Sequence, residues 1–241
     1  SNLDMDIVKL FLKVYPDSLR MADDDAHFAP IHVLCCNPGV NNMLDVLKFL
    51  IEKDPESVQF DGGYGQVPFL MACANANATL TLVELLYDLW PEAIHKQDVC
   101  GKYAMHLLSE NRELNDKASE EIFHFLLQKN YGALGESNYD EHLPIHLAAG
   151  HKSPEFCRLL IDAHPESIKI EADGSLPFHY ACATSLRVDT VKYLYEQYPE
   201  CISMKDEYDN LPIHNAAQNR GEHTSEIIKF LLMHDPEAAL Q

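Results

Sequence analysis

The chain has 241 residues, of which 46% are hydrophobic, and this is enough apolar material for a continuous core. Its formal charge of −20 and its pI near 4.9 argue against nucleic acid or an anionic membrane as a ligand, because both would be repelled. A neutral or basic protein partner is favoured instead, and no segment approaches the ~20 apolar residues that a membrane-inserted helix needs.

A hexapeptide of the type Pro-Ile-His-Leu-Ala-Ala recurs six times along the chain. The copies begin at Pro30, Pro68, Ala104, Pro144, Pro177 and Pro212, with spacings of 38, 36, 40, 33 and 35 residues. Self-similarity at this period predicts an array of stacked supersecondary units, not one central core. Because proline at the first helical position fixes φ for the first turn, each copy predicts the start of a short helix.

A second, amphipathic helix is predicted after each hexapeptide. Its apolar residues follow an i, i+1, i+3, i+4 pattern around a polar fourth residue, as in residues 45–51. Ser119, Ser153 and Thr224 are predicted to be the N-caps of three of these helices. A proline follows most of these helices at a fixed distance, and we expect it to end the helix and turn the chain.

Taken in chain order, these signals give one partial and six full repeats. Residues 5–20 are predicted to supply a second helix only, and the full repeats span 21–58, 59–94, 95–134, 135–167, 168–202 and 203–241. The loop between the two helices of a repeat varies in length, whereas the segment joining one repeat to the next is nearly constant. Neither end has the polar outer face of a terminal cap, so we expect a fragment of a longer array or other segments that cover the ends.

With these features the chain resembles the ankyrin repeat family, whose 33-residue unit combines a β-turn with two helices and a Thr-Pro-Leu-His motif. The matching tetrapeptides are residues 143–146, 176–179 and 211–214, and the whole chain is covered by the pattern. The resemblance implies an all-α fold, an ankyrin-type α-solenoid of helix-turn-helix repeats joined by β-hairpin-like loops, in a single array over 1–241. The Leu-Pro-x-His variant is similar to repeats common in microalgae such as diatoms. It replaces the threonine of the motif, so the hydroxyl cap of the first helix is missing.

The residue types that could carry chemistry all fall within the repeat pattern. Five of the 13 histidines occupy the third hexapeptide position, where a structural hydrogen bond to the neighbouring hairpin is expected. Of the seven cysteines, Cys35, Cys73 and Cys182 share one small-residue position, and we expect buried thiols there. Unpaired thiols favour a reducing environment, so an intracellular location is expected, in the cytoplasm or another reducing compartment. We predict no catalytic residue, no metal site and no cofactor.

The resemblance also implies a binding surface, since ankyrin proteins generally bind their partners on a concave face lined by hairpin tips and first helices. Carried over by repeat position, the predicted partner-binding residues are Asp25, Phe28, Tyr64, Gln66, Lys102, Asn111, Tyr139, Asp140, His142, His151, Asp173, Ser175, Thr184, Glu207, Tyr208, Asn210 and Asn219. Aromatic rings beside carboxylates suit a protein or peptide that has basic side chains.

The function predicted from the sequence is that of a non-catalytic protein–protein interaction scaffold. Two alternatives remain open, a structural subunit of a larger permanent assembly and the targeting module of a larger multidomain enzyme. The oligomeric state and the identity of the partner are not encoded in any motif.

Overall fold

The computed structural model of the chain describes residues 5–23, 27–36, 42–184, 187–218 and 221–240. Within these residues the regular structure is helical, and the only β-type pairing is one isolated antiparallel bridge between Ala172 and Ser175. The predicted all-α repeat architecture is therefore confirmed. The helices are α1 (Met5–Val14), α2 (Pro30–Cys36), α3 (Met43–Lys53), α4 (Pro68–Ala74), α5 (Leu80–Leu89), α6 (Ala104–Glu110), α7 (Asp116–Lys129), α8 (Pro144–His151), α9 (Pro154–Ala163), α10 (Pro177–Thr184), α11 (Val188–Gln197), α12 (Pro212–Gln218) and α13 (Thr224–His234).

The six hexapeptides form the first helices of the repeats, and in five of them the histidine at the third position replaces the missing hydroxyl cap. In α10 the Leu176 N–H donates to His179 Nδ1 over 3.1 Å, and the same bond recurs at the other four histidines. Because Nδ1 accepts this bond, the neutral ring carries its proton on Nε2. His179 Nε2 then donates to the Met204 carbonyl oxygen over 3.1 Å, and His32 and His146 reach Phe60 and Ile170 in the same way.

These contacts make His32, His146 and His179 two-sided clamps. One ring nitrogen caps the start of its own helix and the other holds the segment that leads into the next hairpin, so the predicted structural role is confirmed. The ring of His179 is buried, and burial lowers its pKa below the ordinary value; the pKa of His32 is lowered for the same reason. Repeat 2 has Leu70 at this position and is built without the clamp.

The second helices bury one apolar stripe, as the periodicity predicts. In α9, Phe156, Cys157, Leu160 and Ile161 are buried, while Arg158 is exposed. Each second helix ends where the sequence predicts, and a short 3-10 helix follows, which begins at a proline, as at Pro165–Lys169, or at Tyr131 in repeat 3. The aliphatic residue of that turn is buried in every full repeat that has one: Val58, Ile94, Leu134, Ile168 and Ile202.

The N-caps of the second helices were predicted correctly in one case out of three. The Ser153 hydroxyl accepts from the Phe156 N–H and caps α9. The predictions for Ser119 and Thr224 are wrong. Helix α7 begins three residues before Ser119, because Asn115 Oδ1 accepts from the Ala118 N–H over 2.9 Å and caps the helix there. Thr224 is the first residue of α13, which follows His223.

The segments joining the repeats are hairpin-like turns. In four of them the N–H of the first tip residue donates to the carbonyl oxygen four residues later, as Asp206 does to Asn210 over 2.9 Å. In three tips, the side chain of that first residue, Asp98, Asn138 or Asp206, also accepts the backbone N–H groups two and four residues on. The tips are therefore fixed by their own side-chain chemistry before any partner is present.

The chain divides into two compact units, residues 1–108 with 113–130 and residues 109–112 with 131–241. In the first unit α2 packs on α4 and α5 packs on α7, around fully buried Phe69 and Leu82. In the second unit α10 packs between α8 and α12, and α11 packs between α9 and α13, around Phe156 and Phe178. Burial of each such ring stabilises the fold by about 1.5–3 kcal/mol.

Candidate functional site

The second unit contains a groove in which five of the predicted partner-binding residues meet. The groove has a volume of about 290 Å³ and lies where the hairpin tips 173–175 and 206–210 face helices α10 and α12. The predicted residues that line it are Asp173, Ser175, Glu207, Tyr208 and Asn210. We call it the tip groove.

Close contact between the two tips brings the groove's carboxylates together. Gly174 has a φ of +65°, and a Cβ at this position would lie 2.7 Å from the Cβ of Glu207. Only glycine permits this approach, because any side chain would collide with the neighbouring tip. Asp173 and Glu207, which flank the contact, are both exposed to solvent.

The carboxylate of Asp206 is used to hold the groove together. Its Oδ2 accepts from the side-chain amides of Asn215 and Asn210, and its Oδ1 accepts from the backbone N–H groups of Tyr208 and Asn210. Burial opposes the ionisation of Asp206, but these hydrogen bonds outweigh it and hold its pKa below the ordinary value. Asp206 therefore stays ionised, and its oxygens are occupied by hydrogen bonds within the groove.

Tyr180 forms one wall of the groove, and its hydroxyl group is held by two neighbours. It donates to the Ala172 carbonyl oxygen over 3.3 Å and lies 2.7 Å from His142 Nε2. Burial, together with the smaller effect of the carboxylates of Asp173, Asp140 and Glu207, raises the pKa of Tyr180 to about 12. Two more predicted residues, His142 and Asp140, thus act on the groove from the preceding tip.

The tyrosines at three tips are directed into solvent. Tyr64, Tyr139 and Tyr208 are 65%, 71% and 76% exposed, although tyrosine normally buries much of its ring. Rings in this position offer contact area to a partner at a low cost in side-chain entropy.

The first unit has its own groove, with a volume of about 340 Å³ and a different set of lining residues. Gln66 is the one predicted residue that lines it, beside Asn75, Asp98 and Leu107. Asn75 donates from Nδ2 to the Cys35 carbonyl oxygen over 2.5 Å, so this amide holds the preceding helix end. The groove of the first unit therefore offers fewer uncommitted polar groups than the tip groove.

The remaining predicted residues are dispersed. Thr184 is exposed and Phe28, Lys102 and His151 are half-buried, whereas Asn111 is only 9% exposed and its side chain is not presented to a partner. Asp25 and Asn219 lie outside the described residues.

Six residues that line the tip groove are not among the predicted partner-binding residues: His179, Tyr180, Ala183, Asp206, Asn215 and Gln218. A signal for two of them was present. The fourth hexapeptide position is apolar in the first four repeats and becomes Tyr180 and Asn215 in the last two. A polar residue at a position that is otherwise apolar indicates a face that is not covered by the next repeat.

Other kinds of site find little support among the described residues. They contain no group of three or more histidine, cysteine or acidic side chains placed to hold a metal ion. None of the seven cysteines is in a disulfide, and Cys35, Cys73 and Cys182 are buried as predicted. Burial raises the pKa of the Cys73 thiol to about 12, so it stays protonated. No helix in the described ranges is both long and apolar enough to cross a bilayer.

The family model described as ankyrin repeats (3 copies) matches residues 113–206 and 146–241, which together make up more than half of the chain. No curated protein matches the chain.

Proposed function

Because the chain belongs to the ankyrin repeat family, whose repeats are generally protein–protein interaction modules, we propose that it is a non-catalytic scaffold that binds a protein or peptide partner. The proposed contact surface consists of the hairpin tips and the first helices. The observation that carries the proposal is the tip groove, where five residues selected by repeat position alone line a single cavity.

The charge of the chain supports a basic partner over a nucleic acid or an acidic one. A net charge of −20 attracts cationic proteins and increases their rate of association. The exposed tyrosines at the tips would supply the apolar contact area that a purely electrostatic encounter lacks.

The test is affinity capture from the native source with the wild-type chain, identification of the partner, and a binding measurement with purified variants. Tyr208→Ala and Asp140→Lys alter the tips, and Glu155→Gln serves as the control because Glu155 is exposed on the second helix α9 of the same unit. We expect the tip variants to weaken binding at least about tenfold and the control to bind like the wild type. If all three variants bind the partner equally well, the tips are not part of the interface.

A second candidate function, that of a subunit in a larger permanent assembly, is supported by helix α1. Its Ile7, Leu10, Phe11 and Val14 are each more than half exposed, and together they form an apolar stripe at helical spacing. Hydrogen exchange with and without the partner distinguishes the two. Protection of α1 and the inter-helix loops, with none at the tips, would support the role of a subunit in a larger assembly.

A further inference from the structure

We infer that the apolar groove beside helix α1 binds a short helix of a partner chain, built like the first helices of this chain. The assignment goes beyond the tip surface and rests on the second candidate function, that of a subunit in a larger assembly, whose partner it describes. Three observations carry it: the groove itself, the exposure of two residues that are buried in every full repeat, and a backbone carbonyl oxygen at the position that clamp histidines bind elsewhere.

The groove has a volume of about 430 Å³ and lies between α1, α2 and α3 in the first unit. It is lined by Ile7 and Phe11 of α1, by Val33 of α2 and by Leu50 of α3, and Ser18 is the one polar residue in its lining. We call it the α1 groove. Such a lining suits apolar side chains better than a charged ligand.

Two residues of α1 that line the groove occupy positions that are buried in the rest of the array. Phe11 lies five residues before Pro16, which begins the 3-10 turn, and it is 52% exposed. The residues at this position in the full repeats are at most 5% exposed: Leu50, Leu86, Leu126, Leu160, Leu194 and Leu231. Ile7, four residues earlier, is 64% exposed, whereas its six equivalents are at most 2% exposed. Both positions therefore belong to the core of a complete repeat.

The surroundings of the α1 groove are those of a first helix. In repeat 4 the first helix α8 packs on α9 of its own repeat, and on the first and second helices of the next repeat, α10 and α11. The α1 groove is bounded by the same three kinds of element: the second helix α1, the next first helix α2 and the next second helix α3. A helix bound there would extend the row in which α2 packs on α4.

The clamp histidines show which backbone acceptor a first helix uses. His146 Nε2 donates to the carbonyl oxygen of Ile170, which lies five residues after the proline that begins the 3-10 turn Pro165–Lys169. The other two clamps have the same offset from their prolines, in the pairs His32–Phe60 and His179–Met204. The fifth residue after this proline is therefore the acceptor position for the histidine of a first helix.

Met21 has this acceptor position in the turn that follows α1. It lies five residues after Pro16, and its N–H donates to the Ser18 carbonyl oxygen over 3.4 Å, as the Phe60 N–H donates to that of Ser57 over 3.2 Å. The backbone register is thus the same in both turns. Within the described part of the chain, nothing donates to the Met21 carbonyl oxygen. A histidine on the bound helix would supply this donor.

The structure favours a partner chain over a second copy as the source of the helix. Five first helices of the chain pack on the second helix of their own repeat: α2, α4, α8, α10 and α12. A second copy would have to unfold a repeat to release one of them. A partner segment of the type Pro-x-His-x-Ala-Ala that is free in solution bears only the entropic cost of ordering its own helix.

The experiment is an NMR titration of the ¹⁵N-labelled full chain with an acetylated, amidated peptide of residues 143–152, which contains α8. We expect saturable shifts at the amides of α1 and Leu19, and at the amide of Ala22, which shares its peptide group with the Met21 carbonyl. Because so short a peptide is mostly unfolded when free, its dissociation constant should lie in the millimolar range.

Two altered peptides test the chemistry of the contact. A peptide with the change His146→Leu should bind about fivefold more weakly and leave the Ala22 amide unshifted, because it cannot donate to the Met21 carbonyl oxygen. A scrambled peptide of the same composition should give no saturable shifts, because its apolar residues no longer share one helical face.

Two variants of the chain locate the site. Phe11→Ser should weaken binding of the peptide at least about fivefold, because it removes the ring that the helix would cover. Leu89→Ser is the matched control, since Leu89 is an exposed apolar residue on the second helix α5 that does not line the α1 groove, and its binding should equal that of the wild type. Both side chains are exposed, so neither change opens the core.

Three results would overturn the assignment. They are equal binding of the scrambled peptide, shifts confined to α12 and α13, and a dimer of the full chain in sedimentation that Phe11→Ser abolishes, which would assign the groove to a second copy. The outcome is separable from that of the proposed tip surface, because no tip residue lines the α1 groove. If the peptide fails to bind while Tyr208→Ala still weakens the identified partner, the tip surface stands and the helix site is wrong. If the peptide binds while no tip variant affects the partner, the helix site stands and the tip surface is wrong.

Discussion

Replacement of His179 by leucine tests the histidine clamp at the start of α10. Leucine is the residue that repeat 2 has at this position, so the change introduces a side chain that the fold already accepts. In His179→Leu the Leu176 N–H loses its acceptor and the Met204 carbonyl oxygen loses its donor.

The magnitude follows from the burial of the two groups. Leu176 is buried, so leaving its N–H without a partner costs about 1–3 kcal/mol, whereas the carbonyl of half-buried Met204 can be hydrated and loses about 1 kcal/mol. The apolar leucine offsets part of this loss. We expect the free energy of unfolding to fall by about 2–3 kcal/mol.

The assay combines urea denaturation with amide hydrogen exchange. Exchange should accelerate most at the Leu176 amide, which is the donor that the substitution orphans. His124→Leu is the control, since His124 is exposed on α7 and makes no clamp, and it should change the unfolding free energy by less than about 0.5 kcal/mol. A loss below about 0.5 kcal/mol for His179→Leu, with Leu176 still protected, would refute the clamp.

The burial of the clamp histidines also determines whether the free energy of unfolding rises or falls with pH. Burial lowers the folded-state pKa of His32 and His179 below about 6.5, the value of an exposed histidine. Between the lowered folded-state pKa and about 6.5, the unfolded chain binds more protons than the folded chain. The free energy of unfolding therefore falls as the pH drops below about 6.5. Each histidine contributes at most about 1.4 kcal/mol per pH unit. If the unfolding free energy of His179→Leu depends on pH as steeply as that of the wild type, His179 does not contribute to this pH dependence.

Two further predictions concern the tips and the thiols. Gly174→Ala should lower the unfolding free energy by about 1–3 kcal/mol in urea denaturation, because the new Cβ meets Glu207 at a positive φ; Gly135→Ala, whose Cβ would meet no atom nearer than 3.6 Å, should cost clearly less. A chromogenic disulfide reagent should modify the exposed Cys36 and Cys100 promptly and the five buried thiols only on unfolding, and fast reaction of a third thiol would contradict the burial.

The positions of the helices could be predicted from the sequence, because the signals that place them are local. A proline such as Pro144 or Pro177 fixes the first turn of its own helix, and the apolar stripe of α9 can be read from neighbouring residues. Caps were less predictable. Asn115 competes with Ser119 over a single turn, and only the backbone geometry decides between them.

Which of the predicted surface residues lie close together depends on the tertiary structure. Asp173 and Glu207 are 34 residues apart in sequence, and both line the tip groove, where Gly174 allows one tip to touch the next. Asn111 is buried although its repeat position suggested exposure. Local patterns specify where the chain turns, whereas a groove depends on contacts between distant segments whose packing no single repeat encodes.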